Sequence, residues 1–334
     1  MDGVSFVTTV FNKAAFLPQV LDSLARQVGP FSREFVFVDD GSSDGSPDLI
    51  ARLTRDWADP VRILRQVNSG AAAATNAAVA RATMPWIKLV DGDDLLVPGA
   101  TAWLLEAART QGDGFAYGDL AIYDVLGPDP LRGAFPEPAC EALPDGLGLF
   151  IRNCPINSST MLVSAARYRR AGGCDERMKS ADYALLLRLF ANGRGAHVKG
   201  SVALRPNRAP GRQSETQRRS RYETVLSLYY LVTEIPDVSP RHVELAYRRA
   251  LSRASKFNRS HGRNWIFSRH FWRYCGSRLR IPTDRAKAMH EALGAFTEDG
   301  RSERPPDWMP GILRRGEACA RRPSEAWDAR KDAS

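Results

Sequence analysis

The sequence predicts an α/β fold: a mainly parallel sheet flanked by helices, followed by a mostly helical C-terminal extension. Three observations carry this expectation. Strand-like apolar runs alternate with helix-period segments through the N-terminal part of the chain, which implies right-handed crossovers and a parallel sheet. Two of the runs, Glu34 to Val38 and Trp86 to Val90, stop abruptly at carboxylates, Asp39-Asp40 and Asp91-Gly92-Asp93-Asp94. Open α/β sheets bind ligands at that end of their strands. After Gln213 the pattern turns helical, basic and aromatic, with no further convincing strand.

The elements follow in order. Val4 to Val10 reads as a strand. Phe16, Val20, Leu21 and Leu24 recur at helical spacing, and Gly29-Pro30 stops that helix. Glu34 to Val38 is the second strand, and Gly41 to Ser46 is a loop. Pro47 opens the next helix, where its missing N–H costs nothing. Val61 to Leu64 is a short strand, Ala71 to Ala82 a helix behind Asn68-Ser69-Gly70, and Trp86 to Val90 a strand. A helix runs from about Pro98 to Arg109. Residues 115–124 read as a strand, and the Pro- and Gly-rich stretch 125–146 as a mobile loop. Ser159 to Val163 is a strand, Ser164 to Ala171 a short helix, Gly172-Gly173 a turn. Ala181 to Phe190 is a strongly apolar helix closed by Asn192-Gly193, and Val198 to Leu204 is one more strand. The division expected is an α/β domain over 1–213, a helical basic and aromatic extension over 214–298, and a Pro/Arg-rich, poorly ordered tail over 299–334.

Composition narrows the classes. The chain has 334 residues, 43% of them apolar, enough for a large core. The formal charge of +9 favours an anionic partner. Five cysteines, none in a Cys-x-x-Cys pair, argue against a disulfide framework or structural zinc and fit a reducing compartment. No secretory leader is visible at the N-terminus, and no apolar stretch reaches the roughly 20 residues of a membrane span. A cytoplasmic protein is expected, with peripheral contact at an anionic cytosolic membrane face as an option for the basic extension.

Three carboxylates packed around Gly92 repel one another unless a cation joins them. A hard divalent cation takes oxygen ligands and bridges to phosphates; the plain alternative is turn and capping chemistry. At the other cluster, a carboxylate at the mouth of a nucleotide pocket can accept a uracil imide N–H or ribose hydroxyls. The plain alternative there is an Asx turn, with Asp44 or Ser46 capping the next helix. The Gly-x-Gly-x-x-Gly fingerprint is missing after the first strand, where Phe11-Asn12-Lys13 stands, so a dinucleotide dehydrogenase is disfavoured.

Val4 to Lys13 resembles the opening strand of the inverting family 2 glycosyltransferases of GT-A fold, and Phe35 to Ser46 resembles their second-strand motif. Asn68-Ser69-Gly70, Asn76 and Leu89-Val90-Asp91-Gly92-Asp93-Asp94 are similar to their Asn-x-Gly, Ala-x-Asn and Asp-x-Asp elements. Gly172 to Glu176, with Ala181-Asp182-Tyr183 and Leu187-Arg188-Leu189, resembles the block near their acceptor. The elements stand in the family's order over about residues 3–215; each is weak alone and the ordered set is strong.

The resemblance implies an inverting transfer from a nucleotide-diphosphate sugar, expected to be a UDP-sugar, to a hydroxyl of a glycan or lipid-linked acceptor. Thr9, Phe11, Asp39 and Asp40 would surround the base, and Asn68, Gly70, Asn76 and Gly92 would complete the donor pocket. Asp91 would face the ribose and the metal, Asp93 would ligate Mg²⁺ or Mn²⁺, and Asp182 would be the general base. Three departures stand out. Ala181 replaces the usual Glu or Gln, and Cys174 replaces a Phe. No His follows the last strand, where Arg205 or Arg208 would neutralise diphosphate charge instead. His197 reads as structural, and Asp182 without the resemblance reads as a helix-capping residue. Two alternatives remain: a non-catalytic nucleotide-sugar-binding relative, and a nucleic-acid-binding protein using the basic extension. The second is disfavoured, since no nucleic-acid motif is present.

Overall fold

The structure, a computed structural model, describes residues 2–154, 157–179, 182–207, 217–260, 266, 269–278 and 283–296. Nine strands are β1 (Asp2–Val10), β2 (Phe31–Asp39), β3 (Val61–Arg65), β4 (Trp86–Asp91), β5 (Leu95–Leu96), β6 (Phe115–Tyr123), β7 (Cys140–Leu143), β8 (Met161–Ser164) and β9 (Gly195–Pro206). The helices are α1 (Leu17–Ala25), α2 (Ser46–Thr54), α3 (Ala71–Arg81), α4 (Ala100–Thr110), α5 (Gly146–Arg152), α6 (Ala165–Arg170), α7 (Asp182–Ala191), α8 (Gln217–Glu234), α9 (Pro240–Ser260), α10 (Arg269–Arg278) and α11 (Arg285–Leu293).

One mixed sheet runs β3-β2-β1-β4-β8-β6-β9-β5, with β7 paired to β9. The β3-β2-β1-β4 half is parallel, as crossover connections through helices require. Beyond it β8 is antiparallel to both β4 and β6, β6 and β9 are again parallel, and β5 and β7 pair antiparallel with β9.

The strands bury both faces. Val7, Val36, Val38, Ile87 and Leu89 point into a core shared with α3, α5, α7 and the C-terminal helices. Val4, Phe6, Phe35, Phe37 and Val90 point into a second core with α1 and α4. This explains why the parallel strands read as continuous apolar runs. Tyr222 and Leu226 of α8, Tyr247 and Phe257 of α9 and Met289 of α11 belong to the first core. Much of the aromatic content of the extension is therefore interior. Trp265 and Phe267, and the tail expected over 299–334, lie outside the described residues. No helix among the described residues is long and apolar enough to cross a membrane.

The stretch expected as a loop over 125–146 differs in its last part. Cys140–Leu143 adds to the edge of β9 and α5 follows at once. Both escape a pattern reading for physical reasons. A four-residue edge strand shows too little alternation, and α5 begins with the helix-poor Gly-Leu-Gly. Its first glycine is required by packing: a Cβ on Gly146 would fall 2.0 Å from the Phe190 ring. Asp145 caps the helix, accepting from the Gly148 N–H.

Candidate active site

The site forms where β1 ends between β2 and β4. Val10 stands opposite Asp39 and Thr9 opposite Asp91. The Asp40 N–H donates to the Val10 carbonyl and the Gly92 N–H to the Thr9 carbonyl, so both acidic clusters flank one strand end. A Cβ on Gly92 would lie 2.8 Å from the Thr9 carbonyl oxygen. Glycine is what allows this close backbone approach. Phe11 is exposed just beyond, an aromatic face at the rim.

The β2 side is built from backbone hydrogen bonds. Asp39 is fully buried; it accepts from the Ser42 N–H and pairs with Arg65 Nε at 3.3 Å. Asp40 accepts from the Ser69 and Gly70 N–H groups at 2.8 and 2.9 Å, and from Gln66 Nε2 at 2.8 Å. It thereby fixes the Asn68–Gly70 turn and the start of α3, with Asn68 exposed and Gly70 at φ +91°. Asp44 ties this loop to the one after β1, accepting from the Ala14 N–H and from both the N–H and the hydroxyl of Ser46.

The β4 side carries the concentrated charge. Lys13 Nζ bonds Asp93 Oδ2 at 2.7 Å. Asn157 Nδ2 bonds Asp94 Oδ2 at 2.6 Å and reaches Asp91 Oδ2 at 3.4 Å. The Ser159 hydroxyl accepts from the Asp91 N–H, and the neighbouring Ser158 hydroxyl donates to Asp182 Oδ1. The short 158–160 turn before β8 thus holds the last residue of β4 and the first residue of α7 side by side.

Burial pushes the Asp91 carboxyl well above the usual range. The charges of Asp182, Asp94 and Asp93 push it further, and Lys13 opposes them. Asp182 is also raised, by burial, against the hydrogen bond from Ser158. Beneath the cluster, Lys88 is fully buried, and burial lowers its ammonium to about 7 against the pull of Asp94 and Asp91. It donates to the Leu89 and Ser159 carbonyls.

Asn76 lies at a different place. Its amide accepts from the Tyr168 hydroxyl and the Cys174 N–H and donates to the Cys174 carbonyl and Glu176 Oε1. All four of its hydrogen-bonding positions are used to clamp α3 to the turn ahead of α7. Arg205 sits near the end of β9 beside Ile122 of β6, with its Nε buried and unpaired. Arg208 lies outside the described residues.

The arrangement brings Thr9, Asp40, Gly92, Asp91, Asp93 and Asp182 to one end of the sheet. Residues that sequence reasoning passed over complete it: Lys13, Asn157 and Ser158. Lys13 had a signal, a cation directly after the first strand, where the acidic clusters converge. Asn157 and Ser158 had none, since their role depends on β8 lying against β4.

Among the described residues, no three His, Cys, Asp or Glu side chains form a ready metal cage. The donor set nevertheless suits Mg²⁺ or Mn²⁺. Such ions are bound by one or two carboxylates plus substrate phosphates rather than by an all-protein cage. The like-charge crowding around Asp91 persists with Lys13 opposing it and Lys88 buried beneath, a local demand for further positive charge.

A profile of the family described as Glycosyl transferase family 2 matches residues 5–136. The chain is 32% identical over 107 residues to an uncharacterized glycosyltransferase of Nostoc sp., covering 32% of this chain and 33% of that one. It is 32% identical over 126 residues to the succinoglycan biosynthesis protein ExoO of Rhizobium meliloti, covering 37% and 35%. The match thus spans about a third of the length of these two relatives. A putative glycosyltransferase of Bacillus subtilis, EpsE, is 26% identical over 215 residues, covering 60% of this chain and 71% of that one. In three dimensions the chain is similar to TarS 1–349 of S. aureus, solved with UDP-GlcNAc. The TM-score is 0.57 at 19% identity, over 88% of this chain and 80% of that one. It is also similar to the mannosyltransferase PcManGT of Pyrobaculum calidifontis, solved with GDP-Man and Mn²⁺. There the TM-score is 0.52 at 15% identity, over 88% and 85%. At these identities the structural likeness speaks for the fold.

Proposed function

We propose, for a chain whose residues 5–136 match Glycosyl transferase family 2, an inverting transferase. It moves a sugar from a nucleotide-diphosphate donor, a UDP-sugar, to a hydroxyl acceptor in surface polysaccharide or lipid-linked glycan synthesis. The observation that carries this reading is the meeting of Asp182 with Asp91, Asp93 and Asp94 in one electrostatic unit, from segments far apart in sequence. The ligands named for the fold neighbours, UDP-GlcNAc and GDP-Man with Mn²⁺, support a nucleotide-sugar donor.

In this reading Asp91 and Asp93 hold a divalent cation, which when bound supplies charge neutralisation for the departing diphosphate. The protein's own residues do the remaining work. Phe11 offers a stacking face for the base, and Thr9 and the Asp40-braced Asn68–Gly70 turn shape the donor pocket. Asp182 takes the proton from the acceptor hydroxyl as it attacks. Its raised pKa suits a general base, which must hold a proton tightly enough to remove it. A single displacement requires no protein nucleophile, in keeping with the lack of a Ser-His-Asp or Cys-His set in the sequence.

A nucleotide-sugar panel read by thermal shift, with and without Mn²⁺, tests the donor. UDP and one UDP-sugar should raise the melting temperature in a metal-dependent way. A response to none of the nucleotides would remove the reading.

A further inference from the structure

Asp182 has a second side. It lines a cavity of about 220 Å³ walled by α7, α8 and α9, with Arg221, Arg249 and Arg253 around it and Tyr183, Ser220 and Thr224 between them. We propose that this cavity is a subsite for a phosphate group carried by the acceptor, close to the hydroxyl that Asp182 deprotonates. The proposal rests on the transferase reading and adds the chemical class of the acceptor.

The arginines are placed as a ligand site would place them. Arg249 and Arg253 lie one turn apart on α9, a like-charge spacing that disfavours a helix unless an anion sits between. Their Nε atoms are buried and unpaired. Burial lowers the Arg253 guanidinium, and the nearby Arg249 and Arg221 add to that, with Tyr183 opposing. The carboxylate on the same wall, Glu223, is already engaged by Arg219 Nε and the Lys179 N–H. Arg221 reaches Ser260 Oγ at 3.2 Å, which orients it.

Guanidinium groups match phosphate oxygens in paired geometry and stay charged when half-buried. Arg249 and Arg253, one turn apart on the wall, can share the oxygens of one phosphate, so a phosphate is the better-matched guest. The site is concave and enclosed by three helices, which admits one group of a ligand rather than a flat lipid surface. Ser220, Thr224 and Ser227 on one face of α8 line the same space; the Thr224 and Ser227 hydroxyls donate to the Ser220 and Glu223 carbonyls, which leaves the Ser220 hydroxyl as the donor for a phosphate oxygen.

The test is calorimetric titration of the full chain with phenyl phosphate, with and without saturating UDP and Mn²⁺. Saturable binding to the wild type should fall at least tenfold in the Arg249→Gln/Arg253→Gln double variant. It should fall similarly in Thr224→Glu, which places a carboxylate in the cavity and leaves the arginines intact. UDP binding should be unchanged in both. Phenyl phosphate that fails to bind the wild type, or binds both variants normally, overturns the proposal, as does benzoate binding equally well. Phosphatidylglycerol vesicles are a further arm. Vesicle binding that needs the arginines, without phenyl phosphate binding, assigns them to a membrane face and also overturns the proposal. Loss of UDP binding in the wild type is a separate result that strikes the donor reading alone.

Discussion

Two clusters of buried charge lie on the same face of the sheet, and they are built in opposite ways. At the turn ahead of α7, Arg177 bonds Asp175 at 2.7 and 2.8 Å and Glu234 at 2.8 Å, and stacks on Tyr230 at 3.8 Å. Arg188 adds a second cation 3.6 Å from Asp175. Burial alone would raise Asp175, but the hydrogen bonds and charge of Arg177, with Arg188, hold it below the usual carboxylate range. At the ends of β4 and α7, four carboxylates crowd together; Lys13 pairs with Asp93 and acts on Asp91, Lys88 lies beneath Asp91 and Asp94, and Asp91 is still pushed upward. The first cluster pairs its carboxylates with arginines of the same chain and ties the turn ahead of α7 to α8. The second keeps like charges crowded around Asp91, which costs stability and which, in the proposed function, a bound cation would relieve. Charge left uncompensated in a cleft points to function, whereas a closed network points to structure.

The largest expected effect breaks the second cluster at its base. Asp182→Asn should keep UDP binding and melting temperature near wild type while lowering turnover by roughly 10²–10⁴-fold, the usual contribution of a positioned general base. Near-normal turnover on the true acceptor would remove Asp182 from that role.

Next in size is the closed network. Arg177→Ala leaves Asp175 buried without its main partner and should destabilise the fold by about 3–5 kcal/mol, measured by denaturant unfolding. The same network sets an acid limit. Asp175 titrates lower in the folded than in the unfolded chain, so its stabilisation is present above the unfolded-state pKa. It is lost as pH falls through the folded value. Unfolding midpoints should therefore drop below about pH 4 in the wild type, and Asp175→Asn, weaker at neutral pH, should show a flatter acid limb.

The smallest expected effect has the opposite sign. Asp91→Asn removes one of the crowded charges and should raise metal-free stability at neutral pH by about 1 kcal/mol, while removing the response to Mn²⁺. A destabilised Asp91→Asn would mean that the crowding is not a stored cost.

What could be read in the sequence, and what could not, follows the same divide. The parallel half was legible because β1, β2 and β4 bury both faces and keep apolar runs unbroken. Asp39-Asp40 and Asp91 to Asp94 were legible because they interrupt those runs. Contacts made through β8 were not. Asn157 and Ser158 gain their roles from an antiparallel strand inserted beside β4, and nothing local signals that neighbour. Asn76 shows a subtler limit: the residue stood out, but only the fold reveals that its amide is filled by Tyr168, Cys174 and Glu176. The arginines of α8 and α9 read as a basic stretch, and only the packing against α7 turns them toward Asp182.

The central claim is that the β4 carboxylates hold a cation and a diphosphate together. Calorimetric titration of UDP into the full chain, with Mn²⁺ and with EDTA, tests it most directly when repeated on Asp93→Ala. Binding to the wild type should require Mn²⁺ and be largely lost in Asp93→Ala. UDP binding of equal strength with and without metal, or unaffected by the loss of Asp93, would contradict it.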